Sequence, residues 1–127
     1  MAPRPTHRRP LVLFVDDTQE IRELYTEGLS RAGFRVVEAK DGVAAVVKAQ
    51  ALVPDVIVMD LSMAGIDGLE ATRRLKMDAR TQAIPVILFT GEPPEDPLRT
   101  RNCAEVVHKP CPLQTLVDAV RRHAPSW

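Results

Sequence analysis

Neither sign of charge dominates this chain of 127 residues: Lys and Arg total 17, and so do Asp and Glu. A balanced chain lacks the field that gathers nucleic acid or an acidic membrane surface, so direct binding to either is not expected. Cysteine is scarce. Cys103 and Cys111 have no metal-type spacing and read as free thiols in a reducing compartment rather than as a disulfide. No apolar run is long enough to span a bilayer. The opening MAPRPTHRRP lacks the apolar stretch of a signal peptide, and residues 1–9 read as a flexible basic arm. No internal repeat, linker or low-complexity segment divides the rest. Residues 10–127 form about one domain, 45% hydrophobic and 27% charged over the whole sequence, which is enough for a sizeable core.

Within that domain apolar runs alternate with helical periodicity. LVLFV (11–15), FRVVEA (34–39), DVIVMDL (55–61), IPVILFT (84–90) and AEVVH (104–108) read as strands. Ile21, Leu24, Tyr25, Leu29 and Ala32 recur at helical spacing before Gly33. VAAVVKAQAL follows Gly42 and stops before Pro54. LEATRRLKM (69–77) sets Leu69, Thr72, Leu75 and Lys76 along one line, and LQTLVDAVRRH (113–123) closes the chain with Leu113, Leu116, Val117 and Val120 on one face. Near-continuous apolar strands alternating with helices predict an α/β fold: a doubly wound parallel sheet of five strands, covered on both faces. In such sheets the functional crevice lies at the carboxyl ends of the strands.

The polar residues fall there. Asp16 and Asp17 end the first strand, Asp60 the third and Thr90 the fourth, and Lys109 with Pro110 follows the fifth. Crowded carboxylates repel one another, but they suit a hard cation such as Mg²⁺, which takes oxygen ligands. A carboxylate can also attack phosphorus and form an acyl phosphate. Such transfer needs its equatorial charge neutralised. Mg²⁺ held by Asp17 and Asp60 would do most of that, Lys109 would add a second positive contact, and Thr90 would donate a hydrogen bond. Asp60, on the central strand, is the expected nucleophile.

The blander readings are local. Asp17 with Glu20 has the pattern of a helix capping box, although a cap accounts for one aspartate and not two. Thr90 could be an ordinary strand residue, and Lys109 a solvated one. Met63 and Ile66 are expected to pack locally. His108 and His123 are expected to be structural or surface residues, since no paired spacing supports zinc.

FVDD (14–17), VMDLSMAGIDG (58–68), LFTG (88–91) and HKP (108–110), taken together and in order, resemble the receiver domain of bacterial response regulators over residues 10–124. The resemblance implies a flavodoxin-like fold and a cytoplasmic signalling protein of a two-component system or phosphorelay. It implies that Asp60 takes a phosphoryl group from a histidine kinase or histidine phosphotransfer protein. It implies Mg²⁺ bound by Asp17, Asp60 and the carbonyl of Ser62, with Asp16 acting mainly through water. It makes Lys109 the phosphoryl-binding lysine, Thr90 the switch hydroxyl and the Lys109–Pro110 bond cis. Such a domain is a phosphoacceptor rather than an enzyme. Its output is protein contact, its downstream target is unspecified, and a homodimer is allowed.

Four positions depart from that pattern. Val106 stands where a Tyr or Phe usually turns with the switch hydroxyl. Ala64 replaces a proline, and Cys111 replaces a phenylalanine before a second proline, Pro112. GEPPEDPLRTRNCAEV (91–106) is roughly one helical turn short and holds Pro93, Pro94 and Pro97, which are not tolerated inside a helix. The fourth helix is therefore expected to be short or irregular, with any phosphorylation-linked ordering falling in the 91–103 loop. Ser62 and Glu92, two residues past Asp60 and Thr90, are placed to tune the lifetime of an acyl phosphate.

Two other functions stay open. An aspartate-nucleophile phosphatase or dehalogenase would carry a second carboxylate two residues after Asp60, where this chain has Ser62. A receiver that binds partners without phosphorylation is compatible with Val106 and the proline-rich loop. No output domain follows the last helix in this sequence, which leaves a stand-alone receiver and a piece of a longer protein equally open.

Overall fold

A computed structural model of the protein describes residues 9–125. The expected arm at 1–9 lies outside the described residues except for Arg9, whose carbonyl accepts a hydrogen bond from the Arg35 side chain at 2.9 Å. The strands are Leu11–Val15 (β1), Arg35–Ala39 (β2), Val56–Met59 (β3), Val86–Thr90 (β4) and Glu105–His108 (β5). The α-helices are Gln19–Arg31 (α1), Gly42–Leu52 (α2), Gly68–Lys76 (α3) and Leu113–His123 (α4). All strand pairs are parallel, in the order β2-β1-β3-β4-β5. That is the flavodoxin-like doubly wound order, and its reversal beside β1 opens the crevice at the strand ends. No helix among the described residues is long and apolar enough to cross a membrane.

The sheet buries both faces because its strands are apolar on both. Phe14, Val58 and Phe89 pack with Tyr25 and Leu29 of α1 and with Leu116 and Val120 of α4. Leu13, Ile57 and Val86 pack on the other side with Ala45 and Ala49 of α2 and Leu75 of α3, where Met63 and Ile66 also lodge. The central strand β3 is wholly buried, so the residue after it leaves the core at the middle of the crevice.

Three expectations need correction. Leu24 is 62% exposed rather than part of the core. It sits at the margin of the α1 stripe, which centres on Tyr25, Gly28 and Leu29. On α3 the buried line runs through Gly68, Ala71, Thr72 and Leu75. Leu69 and Lys76 lie one position round the helix and are only half-buried. The strand expected over 55–61 is shorter at both ends: Asp55 turns its carboxylate back to accept from the Leu11 amide at 2.7 Å, and β3 ends at Met59, one residue before Asp60.

The short, irregular fourth helix is expected and found. A single 3₁₀ turn, Pro97–Thr100, connects β4 to β5, capped by Asp96, whose side chain accepts from the Leu98 amide at 2.9 Å. Pro97 suits a first turn, where its missing N–H costs nothing, while Pro93 and Pro94 keep the preceding stretch from coiling.

Because Leu29 is fully buried while Leu24 is mostly exposed, Leu29→Ala should cost about 2–5 kcal/mol. Leu24→Ala should cost less than about 0.5 kcal/mol. Urea unfolding midpoints of the two variants measure the contrast.

Candidate functional site

Asp16 is held from every side. Its amide continues the β1 ladder to the Ala39 carbonyl at 3.2 Å, and its side chain is 1% exposed. One carboxylate oxygen accepts from the Thr18 amide at 2.9 Å, and the other from the Lys109 ammonium at 2.8 Å. Arg22, one turn into α1, donates to the Asp16 carbonyl at 2.7 Å and pairs with Glu38 at 3.3 Å. Asp17, by contrast, is exposed, and its one hydrogen bond among the described residues is a long one from the Thr18 hydroxyl at 3.5 Å. The capping alternative for Asp17 does not hold. Thr18 occupies the cap of α1, and no side chain there bonds the first-turn amides.

Asp60 leaves the end of β3 with its amide donated to the Val15 carbonyl at 2.9 Å. Its side chain is buried, 3.4 Å from the Lys109 ammonium. Burial, and then the negative charge of Asp16, push its carboxyl above the ordinary range, against a smaller opposing pull from Lys109. The chain can reach α3 from here only because residue 68 is glycine. A Cβ at Gly68 would stand 2.1 Å from the Asp60 carbonyl oxygen. The Gly68 amide donates to Leu61 at 2.9 Å, closing the 61–67 loop that carries Ser62.

Thr90 is buried, and its hydroxyl accepts from the Glu92 amide at 3.2 Å. Its carbonyl accepts from the Lys109 amide at 2.9 Å, which ties the ends of β4 and β5 together. The Lys109–Pro110 bond is cis, as expected. Burial draws the Lys109 ammonium downward, but its bonds to Asp16 and Asp60 outweigh this and leave it above its ordinary value.

The structure therefore gathers Asp16, Asp17 and Asp60, with carboxylate oxygens within 4.8 Å of one another, and bridges two of them with Lys109. Three carboxylates and one ammonium leave two negative charges unbalanced, on hard oxygen donors with one member open to solvent. That donor set fits a divalent cation. Ser62 is exposed on the adjoining loop, with no side-chain bond to these residues. His108 is exposed, and His123 pairs with Glu105 at 2.9 Å across β5 and α4, so neither histidine joins the cluster. Both cysteines are free.

Arg22, Tyr25 and Phe89 are site neighbours that the sequence did not single out. The Lys109 ammonium lies 5.4 Å from the Phe89 ring centroid, a cation–π distance. Tyr25 meets Phe89 edge-on at 5.0 Å and stacks on Phe14 at 5.8 Å. Phe89 could have been found from its place next to Thr90. Tyr25 read as an ordinary core position of its helix, and Arg22 carried no local signal.

The family model for the response regulator receiver domain matches residues 12–121. The chain belongs to that family. This receiver is 34% identical to protein PilH of Pseudomonas aeruginosa over 112 residues, 86% of this chain and 93% of that protein. It is 35% identical over 117 residues to the hybrid signal transduction histidine kinase D of Dictyostelium discoideum, matching 90% of this chain but 8% of the kinase. Its fold superposes on the Vibrio cholerae chemotaxis protein CheY4 with a TM-score of 0.86 at 30% identity, covering 91% of this chain and 99% of that one. On the response regulator domain of Thermotoga maritima CheB the TM-score is 0.81, also at 30% identity, covering 91% of this chain and 96% of that one. Two-component signalling is thus the setting of this receiver, and a phosphoacceptor role is consistent with it.

A carboxyl raised in the folded state is stabilising below its unfolded value of 3.8 and loses that contribution as pH rises through the folded value. At neutral pH the Asp60 charge therefore costs stability. Asp60→Asn should raise the unfolding midpoint at pH 7 in EDTA, with the gain shrinking as pH falls toward 3.8. Urea titrations across that range test the sign. A gain that grew on acidification would contradict it.

Proposed function

We propose that this receiver is a phosphoacceptor, with Asp60 as the acceptor and a histidine kinase or histidine phosphotransfer protein as the donor. The observation that carries it is the Lys109 bridge: one ammonium 2.8 Å from Asp16 and 3.4 Å from Asp60, at the mouth of an acidic cluster. An Asp60 carboxylate oxygen attacks the phosphorus of the donor phosphohistidine. The new O–P bond forms as the N–P bond breaks, and the imidazole leaves and takes up a proton. Asp17, Asp60 and the Ser62 carbonyl, with Asp16 behind them, would hold Mg²⁺, which would supply charge neutralisation for the phosphoryl oxygens. Lys109 moves from Asp60 to a phosphoryl oxygen without leaving Asp16, since both partners are already in reach. Thr90 turns its hydroxyl from the Glu92 amide toward the same group. The setting is cytoplasmic, and the output is contact with a further protein.

Asp60 acts once per donor and holds its product, so this is acceptor chemistry rather than turnover of a phosphate ester. Ser62 stands where a phosphohydrolase would keep a second carboxylate, which argues against that alternative. The reading of a receiver that binds partners without phosphorylation keeps two observations in its favour. Val106 has no ring to turn with Thr90, and one 3₁₀ turn stands where the fourth helix would carry the response.

Incubation with acetyl phosphate and Mg²⁺ should add one phosphoryl group by intact mass, lost in Asp60→Asn and in EDTA. An unmodified mass under conditions where Mg²⁺ binding is measurable would favour the phosphorylation-independent receiver. Ser62 and Glu92 border the path of water to an acyl phosphate on Asp60. Ser62→Ala and Glu92→Ala should each change the dephosphorylation rate severalfold while leaving the phosphorylated yield nearly constant. Identical decay curves for wild type and both variants would dismiss that role.

A further inference from the structure

Between α3 and residues 98–102 of the irregular connection from β4 to β5 the chain leaves a groove of about 330 Å³. Its apolar wall is Leu69, turned out of the α3 core line, and Leu98, which is 65% exposed. Its charges are unequal in availability. Glu70 is already bound at 2.8 Å by both Arg73 and Arg74. The Asp67 carboxylate accepts from the Glu70 amide at 2.8 Å as the cap of α3. Arg99 and Arg101 line the opposite wall and are exposed, and their guanidinium groups have no partner among the described residues. The acids of the groove are spent and two of its cations are free.

We propose that this groove docks an acidic segment of a partner protein, with two carboxylates flanking one large apolar side chain. The carboxylates pair with Arg99 and Arg101, whose planar forks bind carboxylates in bidentate fashion. The apolar side chain covers Leu69 and Leu98. A polynucleotide fits less well. The groove has no aromatic ring on which a base could stack. Docking needs no phosphoryl group. It stands or falls apart from the phosphoacceptor chemistry.

The probe is a fluorescein-labelled synthetic peptide carrying Glu-Leu-Glu in a Gly/Ser background, against a Lys-Leu-Lys control, with the full chain unphosphorylated. Anisotropy should show binding of the acidic peptide that weakens with added salt. Amide shifts should concentrate at Leu69 and residues 98–102. The double variant R99E/R101E should bind about tenfold more weakly, since each exposed pair contributes only modestly. Leu98→Ser should weaken binding with the charges intact. All three substitutions are at exposed positions, and circular dichroism checks that the fold survives them. Equal binding of the control, shifts confined to other surfaces, or tighter binding of a single-stranded DNA oligonucleotide would each overturn the proposal. So would R99E/R101E acting only by abolishing self-association, because the acidic loop of a second copy (residues 92–96) would then be the occupant.

Discussion

One ammonium group makes the strand-end cluster affordable. Two carboxylates 4–5 Å apart repel by roughly 3–4 kcal/mol at the effective dielectric of a protein surface. Asp16, Asp17 and Asp60 are brought at least that close together. Lys109 sits against both buried members at 2.8 and 3.4 Å, and each attraction is gross of roughly 5 kcal/mol on the same scale. Those contacts offset the repulsion of the buried pair but leave Asp17 uncompensated at the surface. What remains is a pocket with a net negative charge, which suits a divalent cation.

The sheet supplies the convergence. Parallel strands put all their carboxyl ends on one edge, and the order β2-β1-β3-β4-β5 places β1, β3 and β4 side by side. Residues far apart in the chain then become neighbours through backbone bonds. The Asp60 amide joins Val15, and the Lys109 amide joins Thr90. Precision comes from small local devices. Gly68 lets α3 begin against the Asp60 carbonyl, Arg22 fastens the Asp16 backbone, and the Phe89 ring, packed against Tyr25 and Phe14, lies beside the ammonium. Phe89 also holds the ammonium by a cation–π contact.

On the other side of Thr90 the chain departs from a regular alternation of strand and helix. Three prolines confine the connection to one 3₁₀ turn, and Val106 on the neighbouring strand is partly exposed and has no ring. The edge of the sheet at β5 is therefore less covered than the rest. Glu105 is instead tied to α4 by Arg122 and His123, and those bonds lower its carboxyl below the ordinary range. Beyond Thr90 this side of the molecule is thus a loop with one 3₁₀ turn beside the ion pairs that join β5 to α4.

The apolar runs and their spacing sufficed to read the strand–helix alternation, and with it the parallel sheet, because fully buried strands leave a continuous hydrophobic signature. They also sufficed to put Asp16, Asp17, Asp60, Thr90 and Lys109 at strand ends, and three prolines were enough to predict a short, irregular helix between β4 and β5. Tertiary structure decided what periodicity leaves ambiguous. Residues at the margin of a helical stripe, such as Leu24 and Leu69, are turned in or out by the tilt of the helix on the sheet, which no local pattern encodes. The bonds of Lys109 to Asp16 and Asp60, and the contact of Arg22 with Asp16, join separate segments of chain. Their distances, and the split between a locked Asp16 and an open Asp17, exist only once the sheet has closed the space between them.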